Sequence, residues 1–405
     1  MDTFQVNSAP SSALSPEERQ EKRRLILRDA VSLAGLFLIT AALSVVTWLL
    51  FRSFEGHREV LAQRWLTRGQ AEMQKGHPEQ AINALRSALA YSPGRRDMEI
   101  QLATALATAG HTREAVSYFS TLWESAPGDG MINLQLARLA AKQHNATEAI
   151  QYYQAALDGT WQGDGYSRRR NVRLEMSGYL IGLRNFDLAR TQLLIAAGNA
   201  PDDPAVKLQI AGLLEQAQDP QNALKIYQGV AERKTVPLAA LEGAGRTAFE
   251  ISRYQIAREY LERAVNHPDL DNRPEEERDA NRDMLSTSVH LLALYPDPRL
   301  SVRARAERVM YAEKVATERM AACAASAAAN VPANANGLTG LATRWQQIPV
   351  HPKLLQVEQQ PEMEESIMQL VFDAERVTAG ICGAPTGDDA LLLRMAGLPL
   401  TPEQD

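Results

Sequence analysis

Reactive fingerprints are the first thing this chain lacks. No G-x-S-x-G, phosphate-binding loop or dinucleotide-binding glycine pattern occurs, and "GAPTGDD" near the C-terminus has no Lys-Ser/Thr after its glycines. Histidine is sparse: His57, His77, His111, His144, His267, His290 and His351 never pair at i,i+3 or i,i+4 on one helix, so no zinc site built from neighbouring ligands is expected. His77, His111 and His144 recur at turns and read as polar turn residues. Cysteine is sparser still, with only Cys323 and Cys382, too few for a disulfide-scaffolded mini-domain and without C-x-x-C spacing. Nor is there an excess of positive charge. With Lys+Arg at 43 and Asp+Glu at 49 the net charge is −6, against the basic footprint that displaces counterions from nucleic acid. The acid pairs Asp202-Asp203 and Asp388-Asp389 read as helix starts, where carboxylates oppose the positive end of the dipole. The expectation is a chain with no catalytic residues, no cofactor, no metal and no nucleic-acid partner.

One long apolar run is present. "AVSLAGLFLITAALSVVTWLLF", residues 30–51, carries no charge over 22 residues. As a helix it is about 33 Å long, against a hydrocarbon core of about 30 Å. It exceeds the apolar run of a cleaved signal peptide and ends in bulky residues where a peptidase requires small ones. An uncleaved anchor is expected over 29–52. Arg19, Lys22, Arg23, Arg24 and Arg28 crowd the short tail before it, whereas Arg52, Arg58, Arg64 and Arg68 follow more sparsely. The positive-inside rule then places the tail, 1–28, in the cytoplasm and everything after the span outside it, across an inner (plasma) membrane. Charges on both flanks also suit plain interfacial anchoring, so a cytosol-facing orientation stays open. Ser15, Pro16 and Glu18 form a helix-start signature, with Ser as cap and Glu placed for a capping box.

After a juxtamembrane helix at 53–61 the sequence repeats itself. Ala81, Ala115 and Ala149 stand 34 residues apart, each followed four residues later by Leu85, Phe119 and Tyr153. Ala189, Ala223 and Ala257 keep the same spacing, followed by Leu193, Tyr227 and Leu261. The two series are offset by six residues, which "DGTWQGDGYSRR" at 158–169 accounts for as an inserted loop. Small residues at this spacing let two amphipathic helices of a hairpin cross closely, and the large residue four positions on fills the gap to the next hairpin. Pro93, Pro127 and Pro201 stop the second helix. Six units result, at about 62–95, 96–129, 130–163, 170–203, 204–237 and 238–271, and they make up a repeat region assigned to 62–268. The fold class expected is all-α, an α-solenoid of helix–turn–helix units, with an N-terminal transmembrane helix and a helical C-terminal cap.

On these residues the chain resembles the tetratricopeptide-repeat family. The first unit carries the resemblance best, with Trp65, Gly69, Gly76, Ala81, Leu85, Ala88 and Pro93. Later units depart from it: the third, fifth and sixth lack the proline, and Asn133, Arg173, Lys207 or Leu241 replace the tryptophan. The resemblance implies a protein-binding groove lined by the first helix of each unit. Carried over position by position, that groove comprises Leu66, Gln70 and Met73, then Arg138 and Lys142, then Leu174 and Ile181, then Leu208 and Glu215, then Glu242, Arg246 and Phe249. The mixed lining suits an extended or helical protein segment held by apolar contacts within a polar frame.

Beyond the repeats, 272–330 reads as a long helical hairpin that covers the open end of the stack, with its second helix from Pro298 to about Ala328. The segment 331–361 reads as a linker. In 362–405, Ile367, Leu370, Val371, Ala374 and Val377 share one helical face, with Gly380 as its stop. Cys323 and Cys382 then come near each other, as either a bridge or two buried thiols. An extracytoplasmic location favours the bridge, which would stabilise by about 4 kcal/mol in the chain-entropy model. The expected role is a single-pass anchored scaffold for proteins, serving envelope protein maturation, secretion or polymer export. The alternatives are a cytosol-facing adaptor and an enzymatic C-terminal tail. The oligomeric state does not follow from the sequence.

Overall fold

A computed structural model describes residues 16–330, 340, 342–344 and 353–397. The expected cap Ser15, His351 and most of the linker lie outside the described residues. The chain divides into two compact units, 1–163 and 164–405, and every described element in both is helical apart from one isolated bridge.

The first unit opens with α1, Pro16–Gln74, a single helix of 59 residues. The segments expected as anchor, juxtamembrane helix and first helix of the first repeat therefore form one helix, without a break at 52 or 61. No glycine pair or internal proline interrupts it, so the i→i−4 ladder carries through. Its stretch from Leu25 to Phe54 leaves Leu33, Phe37, Leu43, Trp48 and Phe51 more than half exposed. The helix is long and apolar enough to cross a membrane. Next come α2 (Pro78–Tyr91), α3 (Arg96–Ala109), α4 (Thr112–Ser125), α5 (Gly130–Lys142) and α6 (Ala146–Asp158). These pack as consecutive antiparallel hairpins around one core that includes Leu66, Leu85, Met98, Leu102, Phe119 and Ile132.

The segment after α6 folds back onto α5. Gly130 N–H donates to the Thr160 carbonyl (2.9 Å) and Thr160 N–H to that of Gly128 (2.8 Å). The Trp161 ring lies where a Cβ on Gly130 would sit, 2.4 Å from that position, and its indole N–H donates to the Ala156 carbonyl (2.9 Å).

The second unit contains α7 (Gly165–Gly182), α8 (Phe186–Gly198), α9 (Pro204–Gln216), α10 (Pro220–Ala231), α11 (Leu238–Glu250) and α12 (Tyr254–Val265), then a short 3-10 turn. The insertion expected as a loop to residue 169 is shorter than that. Asp164 caps α7 by accepting from the N–H groups of Tyr166 and Ser167, so the helix starts at Gly165. Next are α13 (Glu275–Leu294), α14 (Val302–Asn330), the short α15 (Leu354–Gln359), α16 (Pro361–Cys382) and α17 (Gly387–Met395). Here α16 passes Gly380 and stops at Gly383, whose φ of 89° lies in the left-handed region.

The 34-residue spacing has a direct physical basis. Ala81, Ala115, Ala149, Ala189, Ala223 and Ala257 are all fully buried, as are Leu85, Phe119, Leu193 and Leu261. The turn inside each hairpin repeats as well. Gly76, Gly110, His144, Arg184, Gln218 and Ser252 occupy equivalent positions, each with a positive φ between 59° and 90°. His144 therefore holds the left-handed turn position that glycine fills in the first two hairpins, whereas His77 and His111 come one residue later and precede the second helix.

Candidate protein-binding faces

The first helix of each hairpin positions the candidate side chains. In the first unit, Leu66 is buried in the core and Met73 packs against it, so these two positions serve the fold. Gln70, Arg138 and Lys142 are exposed.

In the second unit Leu174 is likewise buried, while Ile181 and Leu208 are half-buried. The charged candidates engage one another or other parts of their own unit. Glu215 accepts from Arg246 (3.0 Å), from the Tyr227 hydroxyl (3.0 Å) and from Thr247. Burial first, and then the adjacent Glu215 charge, push the Tyr227 phenol well above its ordinary range, so it stays a neutral donor. Glu242 accepts from Arg273 (2.8 Å) and Asn281 (3.1 Å), bringing α13 against α11. Phe249 meets Tyr254 edge-on with centroids 5.7 Å apart, and the Arg394 guanidinium of α17 lies 4.1 Å above the Phe249 ring. A cation over an aromatic face is an attractive contact, so the Phe249 ring at the end of α11 is partly covered from within the chain.

Residue spacing did not reveal which glycines are filled. A Cβ at Gly69 would lie 2.7 Å from the Leu85 side chain, one at Gly245 would lie 2.6 Å from that of Leu261, and one at Gly243 would strike the Tyr227 ring. These glycines admit the neighbouring helix. Gly178 and Gly182 on α7 have nothing within 4 Å of where a Cβ would stand, and Gly212 on α9 has only the Tyr227 hydroxyl at 3.9 Å. Their signal in the sequence is glycine within a helical segment, which inside a helix costs about 1 kcal/mol relative to alanine.

At the far end of the second unit Cys323 and Cys382 are joined by a disulfide, with Cα atoms 5.7 Å apart. Near it the carboxyls of Glu375 on α16 and Asp389 on α17 face each other. Glu375 is fully buried, and neither of its oxygens meets a hydrogen-bond donor. Burial, then the neighbouring Asp389, hold its carboxyl up to about 8, and burial raises Asp389 as well. Asp389 is one of the acids expected to serve a helix dipole. It does stand in the first turn of α17, but it also faces Glu375, a charge four residues after Val371 on the buried face of α16. A cleft of about 540 Å³ lies nearby, lined by His290, Leu294, Glu307, Arg308, Tyr311 and Asp388 among others. Among the described residues no group of three His, Cys, Asp or Glu side chains is placed to hold a metal ion.

Comparison with known proteins bears on the repeats. Two tetratricopeptide-repeat profiles match, one over residues 72–139 and one over 178–237. No curated protein matches the chain. Among solved structures the chain is similar to Pseudomonas aeruginosa pilF, with 19% identity, 56% of this chain and 99% of that one covered, and a TM-score of 0.39. It is also similar to PilW, a widely conserved type IV pilus biogenesis factor (16% identity, 52% and 97% covered, TM-score 0.38). A third is YrrB, a protein of the same repeat class with an unusual peptide-binding site (17% identity, 50% and 99% covered, TM-score 0.37). Both profiles fall on hairpins that share a buried 34-residue register, so residues 72–139 and 178–237 are tetratricopeptide repeats.

Proposed function

We propose that this protein is a single-pass membrane scaffold whose repeats hold a segment of another protein, in envelope protein maturation, secretion or polymer export. The observation that carries the reading is the open row on α7 and α9. Gly178, Gly182 and Gly212 weaken their helices and admit no neighbour from within the chain, and they stand among the half-buried Ile181 and Leu208. Such positions suit the close approach of a second backbone, and a helix with an apolar face fits between them.

The anchor is the apolar part of α1, whose side chains find no cover in the protein and are matched by a hydrocarbon core. The tail basic residues favour a cytoplasmic N-terminus, and the Cys323–Cys382 bond suits an oxidising compartment for the remainder. Protease shaving of intact spheroplasts tests the orientation: digestion of the repeats is expected, and full protection would turn the protein into a cytosol-facing adaptor. Crosslinked pull-down from membranes tests the binding face. Partners captured by the natural chain should be lost when Gly178→Leu and Gly212→Leu fill the row, and capture of the same partners in the same amounts would refute the assignment.

A further inference from the structure

Helix α17 is held by contacts of two opposing kinds. Leu392 and Met395 are buried in a cluster with Leu291, Val309, Val371 and Phe372. Arg394 lies over Phe249 and donates to the Tyr254 hydroxyl (2.9 Å), clamping α17 on the end of α11 and the start of α12. Asp389 also faces Glu375, and this approach opposes the other contacts once both carboxyls are ionised. Two carboxyls in a site that excludes water cannot both ionise without strong repulsion. Their surroundings offer little compensation. Arg319 on α14 is the cation beside them, and it directs one N–H group at the Gly383 carbonyl (2.8 Å), while Glu318 and Asp388 add negative charge.

The connection to α17 is short and bounded by Gly383 and Gly387, with φ of 89° and 60°. Glycine at both ends allows the intervening residues to pivot. The disulfide sits at the root of this connection, because Cys382 is the last residue of α16 and its partner Cys323 lies on α14.

We propose that α17 is a redox-controlled latch: with Cys323 and Cys382 bonded it stays seated against Phe249 and Tyr254, and reduction lets it swing away on Gly383 and Gly387 and uncover both aromatics. The reductant is a dithiol. Its thiolate attacks the sulfur of Cys382, which is partly exposed, and the sulfur of Cys323, 2% exposed, leaves as thiolate. The second thiol of the reductant then displaces Cys382 from the mixed disulfide. Two electrons and two protons pass to the protein as two thiols, and the reductant ends as its own disulfide. The latch stands on the geometry of α14, α16 and α17 and not on what the repeats bind.

Amide hydrogen exchange on the full chain in nanodiscs, with and without dithiothreitol, tests the latch. Reduction should speed exchange over 387–395 at least tenfold while α9 to α12 keep their protection, and the Cys323→Ser/Cys382→Ser variant should behave as the reduced protein does. Unchanged exchange over 387–395, with both thiols open to alkylation, would overturn the proposal. So would loss of protection throughout α9 to α12, because the bond would then hold the whole unit and not one helix. Arg394→Ala in the oxidised chain needs no change of cysteine. It should speed exchange at 387–395 about threefold, and no change there would remove the clamp on which the latch depends.

Discussion

The two units leave different groups uncovered. In the first unit an apolar run faces outward along α1, while Gly69 and Gly130 are closed by Leu85 and Trp161. In the second unit the long helices α14 and α16 bury their apolar faces in one cluster and Gly243 and Gly245 are closed by Tyr227 and Leu261, while Gly178, Gly182 and Gly212 are open. A group that the chain does not satisfy internally points to what the chain meets outside. By that measure the first unit's unmet surface fits the proposed lipid environment and the second's the proposed polypeptide partner.

The largest expected effect breaks the first half of this contrast. Leu36→Arg with Leu43→Arg places two guanidiniums in the middle of the apolar run, and at about 2.5 to 3.5 kcal/mol each on an insertion scale they oppose membrane integration by about 5 to 7 kcal/mol. The doubly changed protein should leave the alkali-washed membrane fraction, and its retention there would mean that 30–51 is not the anchor. A smaller effect separates closed glycines from open ones. Gly130→Leu and Gly245→Leu drive side chains into the Trp161 ring and the Leu261 side chain, and each should cost about 2 to 3 kcal/mol in denaturant unfolding.

The fold was legible because one requirement, a small residue where helices cross, recurs with the hairpin and so prints a 34-residue period on Ala81, Ala115 and Ala149 and again on Ala189, Ala223 and Ala257. The turn position is printed less clearly. A left-handed backbone calls for glycine, but His144, Arg184, Gln218 and Ser252 tolerate it, so the same turn has six occupants of five types. The candidate face was only partly legible. Of the residues the repeat pattern nominated, Ile181 and Leu208 are half-buried, whereas Leu66 and Leu174 are buried in the core and Phe249 lies under Arg394. Whether a first-helix residue is open depends on what lies across from it, and for Glu242 and Phe249 that is α13 and α17, remote in sequence. The Glu375–Asp389 approach is half visible: Glu375 stands four residues after Val371 on the buried face of α16, but its meeting with Asp389 depends on how α17 lies across from it.

That acid pair gives the second unit a pH dependence that the closed glycines of the first lack. Glu375 is held above its ordinary 4.5, up to about 8, so between those values the folded chain binds more protons than the unfolded one. Stability contributed by the protonated pair is complete below about 4.5 and is lost as pH rises through about 8. Glu375→Gln removes that dependence and should stabilise the second unit at pH 9 by about 1 to 2 kcal/mol, the scale of one unsatisfied buried group. Thermal unfolding of both proteins at pH 5 and pH 9 checks the sign: the natural chain should lose more on going to pH 9 than the variant does.

The smallest effect bears on the open glycines. Alanine at Gly178 or Gly182 meets nothing within 4 Å, so it should add helix propensity without a clash and stabilise the second unit by about 0.5 to 1 kcal/mol. A closed glycine such as Gly69 should respond with the opposite sign, because a Cβ there lies 2.7 Å from Leu85. Unfolding midpoints for the three alanine variants measure this directly. The stabilised variants also separate the two explanations of an open glycine. If Gly178 and Gly182 stand where a partner backbone comes close, Gly178→Ala/Gly182→Ala should yield a more stable protein that captures less partner, because two methyl groups stand in the contact. A gain in stability with capture unchanged would leave those glycines without a role in binding, and the contrast between the units would then rest on the apolar run of α1 alone.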